Sequence, residues 1–269
     1  MRYFLKLAYN GKNYSGWQIQ TNHVSVQGVL TNVLSLLLKE NINVTGAGRT
    51  DTGVHAKEFY AHFDTSYIFT DENKYDFICR INSFLPQDIV IYDILRVSEK
   101  AHARFDALSR TYKYYVTTKK NPFAIEFTYR VFYTPDIEKM NVCCEKMMNY
   151  TDFTSFSKTK TQTKTKNCHI TKAEWTYNEN KELFIFEITA NRFLRNMVRA
   201  ITGTLLDVGK GKTSITEFCA IIEQKNRCSA GASIPAHALF LEKIVYSEDV
   251  IIGTEGTGDN WEKRDDWGV

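Results

Sequence analysis

The chain has no run of about 18 apolar residues, so no membrane span is expected. Its opening, Met1-Arg2-Tyr3-Phe4-Leu5-Lys6-Leu7, has neither a signal-peptide core nor a cleavage site and reads as a strand. Six cysteines occur without one C-x-x-C pair, which points to reduced thiols in a cytosol and leaves no spacing for a zinc site. The vicinal Cys143-Cys144 pair reads as small core residues on a helix. No residue-level repeat is visible. Two familiar chemistries lack their parts. Asp51-Thr52-Gly53 matches the aspartic-protease triplet, but the nearest similar one, Asp64-Thr65-Ser66, lies thirteen residues on, too close for a second lobe. Gly209-Lys210-Gly211-Lys212-Thr213 ends like a phosphate-binding loop, but the first required glycine falls at Leu206 and a helix precedes it. It reads as a helix stop with surface lysines.

What is present describes a folded protein with a basic body. Over 269 residues, 43% are hydrophobic and 24% charged, room for one large domain or two ordinary ones. The net charge of +3 conceals an asymmetry: residues 247–269 carry seven acids against two bases, −5, which leaves +8 on residues 1–246. A basic body suits an anionic partner such as nucleic acid.

The patterning alternates strand and helix. Residues 2–9, 43–46, 55–64 and 89–97 read as strands, and 24–40 and 72–85 as helices, the second ended by Pro86. The order βαββαβ is the ferredoxin-like pattern. Strands at 110–118, 168–177, 183–190 and 239–246, with helices at 136–150 and 193–208, repeat it, and 214–225 adds a helix. An α+β fold of two tandem ferredoxin-like halves follows, with largely antiparallel sheets side by side and a basic catalytic cleft between them. The division is 1–104, 105–246 and an acidic, partly disordered tail, 247–269.

Four stretches could carry chemistry. The loop Gly46-Ala47-Gly48-Arg49-Thr50-Asp51-Thr52-Gly53-Val54-His55-Ala56 places one carboxylate and one arginine among three glycines, between strands. Glycine lets main chain approach a ligand. Asp51 is therefore either a candidate for chemistry or a cap on its own turn, and Arg49 either supports the loop or reaches a phosphate. In Phe105 to Tyr114, Tyr112 beside basic groups could stack on a nucleobase, a contact worth roughly 1–3 kcal/mol, while Tyr114 and Tyr115 read as core. Arg192, Arg195 and Arg199 recur at helical steps, and one of them could enter the cleft and meet Asp51. In Ser157 to Lys166, lysine alternates with threonine and no apolar residue intervenes. That is a mobile surface loop whose Lys158, Lys160, Lys164 and Lys166 could contact phosphates.

Taken together, these segments resemble the TruA-type tRNA pseudouridine synthases over about residues 2–246. The glycine loop is the most specific match. Gly11 to Gln18, Phe105 to Tyr114, Phe153-Thr154-Ser155-Phe156, Phe193 to Arg199 and Pro235 to Leu241 follow in the family's order. Ala238 stands where the family usually has glycine, and it could tighten the wall near the target base. The resemblance implies a cytoplasmic enzyme, usually a homodimer, that isomerises uridine in the anticodon stem-loop of tRNA without metal or organic cofactor. It assigns Asp51 as the catalytic aspartate, Tyr112 as the residue that stacks on the target base, and Arg199 as the partner of Asp51. The alternative is a catalytically silent tRNA-binding or RNA-folding protein of the same fold. Both bind tRNA, so only turnover separates them.

Overall fold

A computed structural model describes residues 1–158 and 165–252. The first half runs β1 (Arg2–Tyr9), α1 (Val26–Leu38), β2 (Thr45–Gly46), β3 (His55–Asp64), α2 (Asp71–Phe84) and β4 (Ile89–Arg96). The second runs β5 (Ala107–Thr117), β6 (Tyr129–Arg130), α3 (Ile137–Met147), β7 (Ile170–Asn178), β8 (Leu183–Ala190), α4 (Met197–Gly209), α5 (Ile215–Glu223) and β9 (Leu239–Tyr246). Local chemistry starts the helices. Ser25 caps α1 through the Gly28 amide, Asp136 caps α3 through Lys139, and Thr70 with Asn73 and Ser214 with Glu217 form reciprocal capping boxes on α2 and α5.

The expected pair of sheets is instead one. The strand order is β4-β1-β3-β9-β5-β8-β7, with β2 on β3 and β6 on β5. Each half keeps the ferredoxin-like order on its own, β4-β1-β3-β2 and β9-β5-β8-β7. They fuse along one edge of β3. Its far end carries β2, antiparallel, at Ala61 and His62, and its near end carries β9, parallel, at His55 and Ala56. A two-residue β2 leaves that edge free for the other half. Where β9 diverges from β3, the Glu58 carboxylate accepts the Ile244 amide at 3.3 Å, so the abandoned donor is still satisfied.

Two apolar cores lie along this sheet. One gathers Phe4, Leu5, Leu30, Leu34, Phe59, Phe63 and Ile81; the other gathers Tyr114, Phe153, Phe156, Trp175, Phe186, Ile201 and Phe218. They interlock, since Val54 packs into the second core and Leu241 and Ile244 into the first. Cys143 and Cys144 are buried on α3, where burial pushes the Cys143 thiol up to about 11. α4 ends as expected, with Gly211 left-handed beyond it and Lys212 paired to Asp207 at 3.1 Å.

A second expectation needs correction. The last helix of the repeat begins at Met197, not at 193, because Asn196 is left-handed (φ 66°) and breaks the helical run. Arg192 and Arg195 therefore lie in the connection before α4, and only Arg199 is on it. Where the acidic tail starts, Glu248–Val250 forms a 3-10 turn and Ile251 bridges to Val97, closing on the end of β4. The rest of the tail, 253–269, lies outside the described residues.

Candidate active site

Asp51 lies in the connection from β2 to β3, where the edge of β3 passes from one neighbour to the next. The loop is fixed from several directions. The Ala47 amide donates to Tyr60 O at 2.8 Å. The Thr50 hydroxyl shares a buried 3.0 Å hydrogen bond with Tyr9, and its carbonyl accepts the Trp17 amide at 3.4 Å. The Gly11-to-Trp17 stretch is thus a clamp on the loop. Gly16 has φ +86°, and a Cβ there would stand 2.3 Å from Thr50 O, so only glycine fits. Past Asp51 the chain turns sharply: Val54 N–H closes on Asp51 O at 3.1 Å, and Gly53, third in the turn, takes the φ of +80° that a type II turn demands.

His55 locks the exit. Its Nδ1 accepts the Gly11 amide at 3.1 Å, so the proton is on Nε2, which donates to His237 O at 2.9 Å. Burial holds the ring's pKa below the ordinary histidine value.

The Asp51 carboxylate does not fold back onto its own turn. It faces two guanidinium groups: Arg199 Nη1 is 3.5 Å from Oδ2 and Arg195 Nε is 3.7 Å from Oδ1. Side-chain exposures are 25% for Asp51, 21% for Arg199 and 61% for Arg195. The two arginines differ in kind. Arg199 stands on a helix buried at nearly every other position, and its Nε is held by Ile234 O at 2.7 Å, leaving the Nη groups aimed at Asp51. A charge on such a helix needs a partner. Arg195 is a surface side chain on a loop. These separations are those of an ion pair rather than a tight hydrogen bond, which leaves the carboxylate able to engage another group.

Tyr112 joins this group from β5. Its ring packs edge-on against Phe193 (5.2 Å, 88°) and borders both cores. Burial pushes its hydroxyl up to about 12, with Arg110 opposing and the Asp51 charge adding to the shift. Tyr114 is fully buried and Tyr115 nearly so. Arg49 is exposed and, among the described residues, makes no salt bridge. Its charge and that of Arg192 add to the burial that lowers the pKa of Arg104, so the three cations form one cluster beside the loop. Lys158 is exposed, with its amide on Arg195 O. Lys166 is partly buried, with its ammonium on Ser157 Oγ at 3.1 Å. Lys160 and Lys164 lie outside the described residues.

Ala238 does not line a wall. It has no exposed surface and sits in the second core, its carbonyl accepting the Tyr115 amide. Sequence reading missed Arg227, which donates to Ser233 Oγ at 2.8 Å and steadies the loop that leads to Ile234, and so to Arg199. No spacing signal marks it. Among the described residues, no group of three or more His, Cys, Asp or Glu is arranged to hold a metal, and no helix is long and apolar enough to cross a membrane.

The family model described as tRNA pseudouridine synthase matches residues 150–247. The tRNA pseudouridine synthase A of Parabacteroides distasonis is 51% identical over 254 residues, 93% of this chain and 97% of that protein. The protein of the same name from Bacteroides thetaiotaomicron is 51% identical, covering 93% of this chain and 92% of its own. That of Caldicellulosiruptor saccharolyticus is 40% identical, covering 90% and 98%. Identity at this level over nearly the whole length, on a fold that sets one carboxylate before two arginines, shows that the chain belongs to the tRNA pseudouridine synthase A family.

Proposed function

We propose that this chain isomerises uridine to pseudouridine in the anticodon stem-loop of tRNA, with Asp51 as the reacting carboxylate. One observation carries the reading: the Asp51 carboxylate makes no hydrogen bond to its own turn and faces Arg199 and Arg195 beside Tyr112.

The reaction breaks the N1–C1′ bond of the uridine, turns the detached base and joins C5 to C1′. The C5 proton is lost and N1 gains one, so nothing is consumed and no cofactor is called for. A stacked nucleotide hides C1′, so the target is flipped out first. Asp51 then attacks C1′ as a nucleophile, or removes a sugar proton at C1′ or C2′; both roles need a carboxylate whose oxygens are not committed elsewhere. Arg199, held at Nε, steadies the charge. Tyr112, kept a neutral phenol by burial, offers its ring to the base while it rotates. The cluster of Arg49, Arg104 and Arg192 suits the phosphates of a folded RNA, and exposed Lys158 extends it. Of the lysines, the anchored Lys166 fits this role least. The enzyme works as a cytoplasmic homodimer.

The test uses unmodified tRNA transcripts with the wild-type protein and Asp51→Asn. Carbodiimide labelling and primer extension map pseudouridine, and light scattering of the same samples reads a doubled mass. A stop in the anticodon arm with wild type only, with tRNA binding kept in the variant, is expected. Tight binding with no stop on any tRNA would instead favour a silent RNA-binding protein.

A further inference from the structure

The structure assigns Arg110 as a positioning residue that sets the distance between the Asp51 loop and the segment that brings Arg195 and Arg199 to it. This rests on the reading of Asp51 as the reacting group.

Arg110 is on β5, two residues before Tyr112, and its guanidinium touches only main-chain carbonyls. Nη1 donates to Ala107 O at 2.7 Å and to Asn191 O at 2.8 Å. Nη2 donates to Ala47 O at 3.1 Å and to Arg104 O at 2.5 Å. All four Nη hydrogens are used. The carbonyls belong to three segments. Ala47 starts the loop that carries Asp51. Arg104 belongs to the connection between the halves, within the cation cluster, and Ala107 opens β5 directly after it. Asn191 directly follows β8 and opens the connection to α4. Ala47 has its amide on β3 and its carbonyl on Arg110, so the loop's first residue is gripped from both sides. Asn191 is gripped likewise, its amide on His169 O and its carbonyl on Arg110.

One rigid plane therefore gauges the gap between the two segments whose side chains form the Asp51–arginine cluster. Among the described residues Arg110 makes no salt bridge, so pairing of charge does not explain its placement, and two like charges, Arg104 and Arg192, stand close by. A lysine keeps the charge but has three hydrogens on one atom and cannot span four carbonyls in a plane. An error of about 1 Å in the placement of reacting groups can cost roughly a hundredfold in rate.

The experiment measures pseudouridine formation under single turnover, with tRNA saturated by protein, for wild type, Arg110→Lys, Arg110→Gln and Arg110→Ala, and tRNA affinity by filter binding. Three variants are used in case one folds poorly. Arg2→Lys serves as a control for lost arginine hydrogen bonds, since Arg2 binds Ala101 O and Asp64, neither of which is on the Asp51 loop or on the segment that carries Arg195 and Arg199. The expected result is a fall of at least about tenfold in the rate of bound tRNA for the Arg110 variants, with affinity within about threefold of wild type. Arg2→Lys is expected to lose thermal stability and keep its rate. Added methylguanidinium is expected to restore part of the rate to Arg110→Ala, and ammonium is not. Arg110 variants that melt early yet turn over bound tRNA at the wild-type rate would overturn the inference and leave a purely structural arginine. If wild type itself forms no pseudouridine, it is the reading of Asp51 that fails.

Discussion

Arg199 and Arg195 separate what a charge does from what a fixed charge does. Both face Asp51, but only Arg199 has its Nε tethered, to Ile234 O. Arg199→Lys keeps the charge but has one nitrogen where Arg199 uses two, Nε on Ile234 O and Nη1 towards Asp51. We expect it to lower kcat by about one to two orders of magnitude with little change in KM, and Arg195→Lys to cost clearly less; steady-state kinetics on a tRNA transcript decide. The histidines make a second prediction. Burial, with Arg2 and His102 adding to it, lowers the His62 pKa to about 4, and His55 is shifted the same way. The native state thus prefers neutral rings, while the unfolded chain takes up protons near the ordinary histidine value of about 6.5. Stability is present in full above that value and is lost as pH falls towards 4. Tm followed from pH 7.5 to 4.5 should drop across this window, and drop less in His62→Gln, whose side-chain oxygen can still accept the Ala103 amide that His62 accepts. At this scale Asp51, Tyr112 and the arginines were legible as candidates, because a carboxylate among glycines and basic residues beside aromatics are open to chemical use. Spacing did not single out a partner for Asp51, since helical steps rank three arginines equally, and the family resemblance named Arg199. The left-handed Asn196 takes Arg195 off the helix, and no local pattern announces that.

The elements were legible where hydrogen bonding is local. Alternation and helical spacing found the strands and helices of both halves, and serine, threonine and aspartate caps lie where polar residues precede apolar periodicity. The clamp on the Asp51 loop was not legible as a clamp, because its hydrogen bonds join residues some forty positions apart. It yields a sharp prediction. Gly16→Ala places a methyl against Thr50 O in a backbone conformation that side chains rarely adopt, and should cost about 1–3 kcal/mol while lowering activity through the adjoining Asp51. Gly48→Ala meets nothing within 4 Å and should leave Tm nearly unchanged. Thermal melts of the pair, with activity at matched folded fraction, distinguish a clamp from a generic loop.

For the whole molecule, the sequence reading found two halves of like topology but not their union into one sheet, which rests on two parallel residue pairs between β3 and β9. Too few residues are involved to leave a pattern. We propose that the 104/105 division is one of topology rather than of independent folding, because each core borrows side chains from the other half. Residues 1–104 expressed alone should be insoluble or lack cooperative melting, and co-expression with 105–269 should recover a complex that melts as one unit; a well-folded, monomeric 1–104 fragment would contradict this. The shared edge of β3 has one last consequence. A strand edge offers a single row of donors and acceptors, and on β3 that row is divided between two tenants from opposite halves of the chain. Only residues 57–60 of that row lie between them, so neither can extend far without meeting the other, and the segment between β2 and β3 has no room to zip into the sheet. Asp51 is kept out of the sheet by a conflict over pairing that is settled when the chain folds, before any RNA arrives.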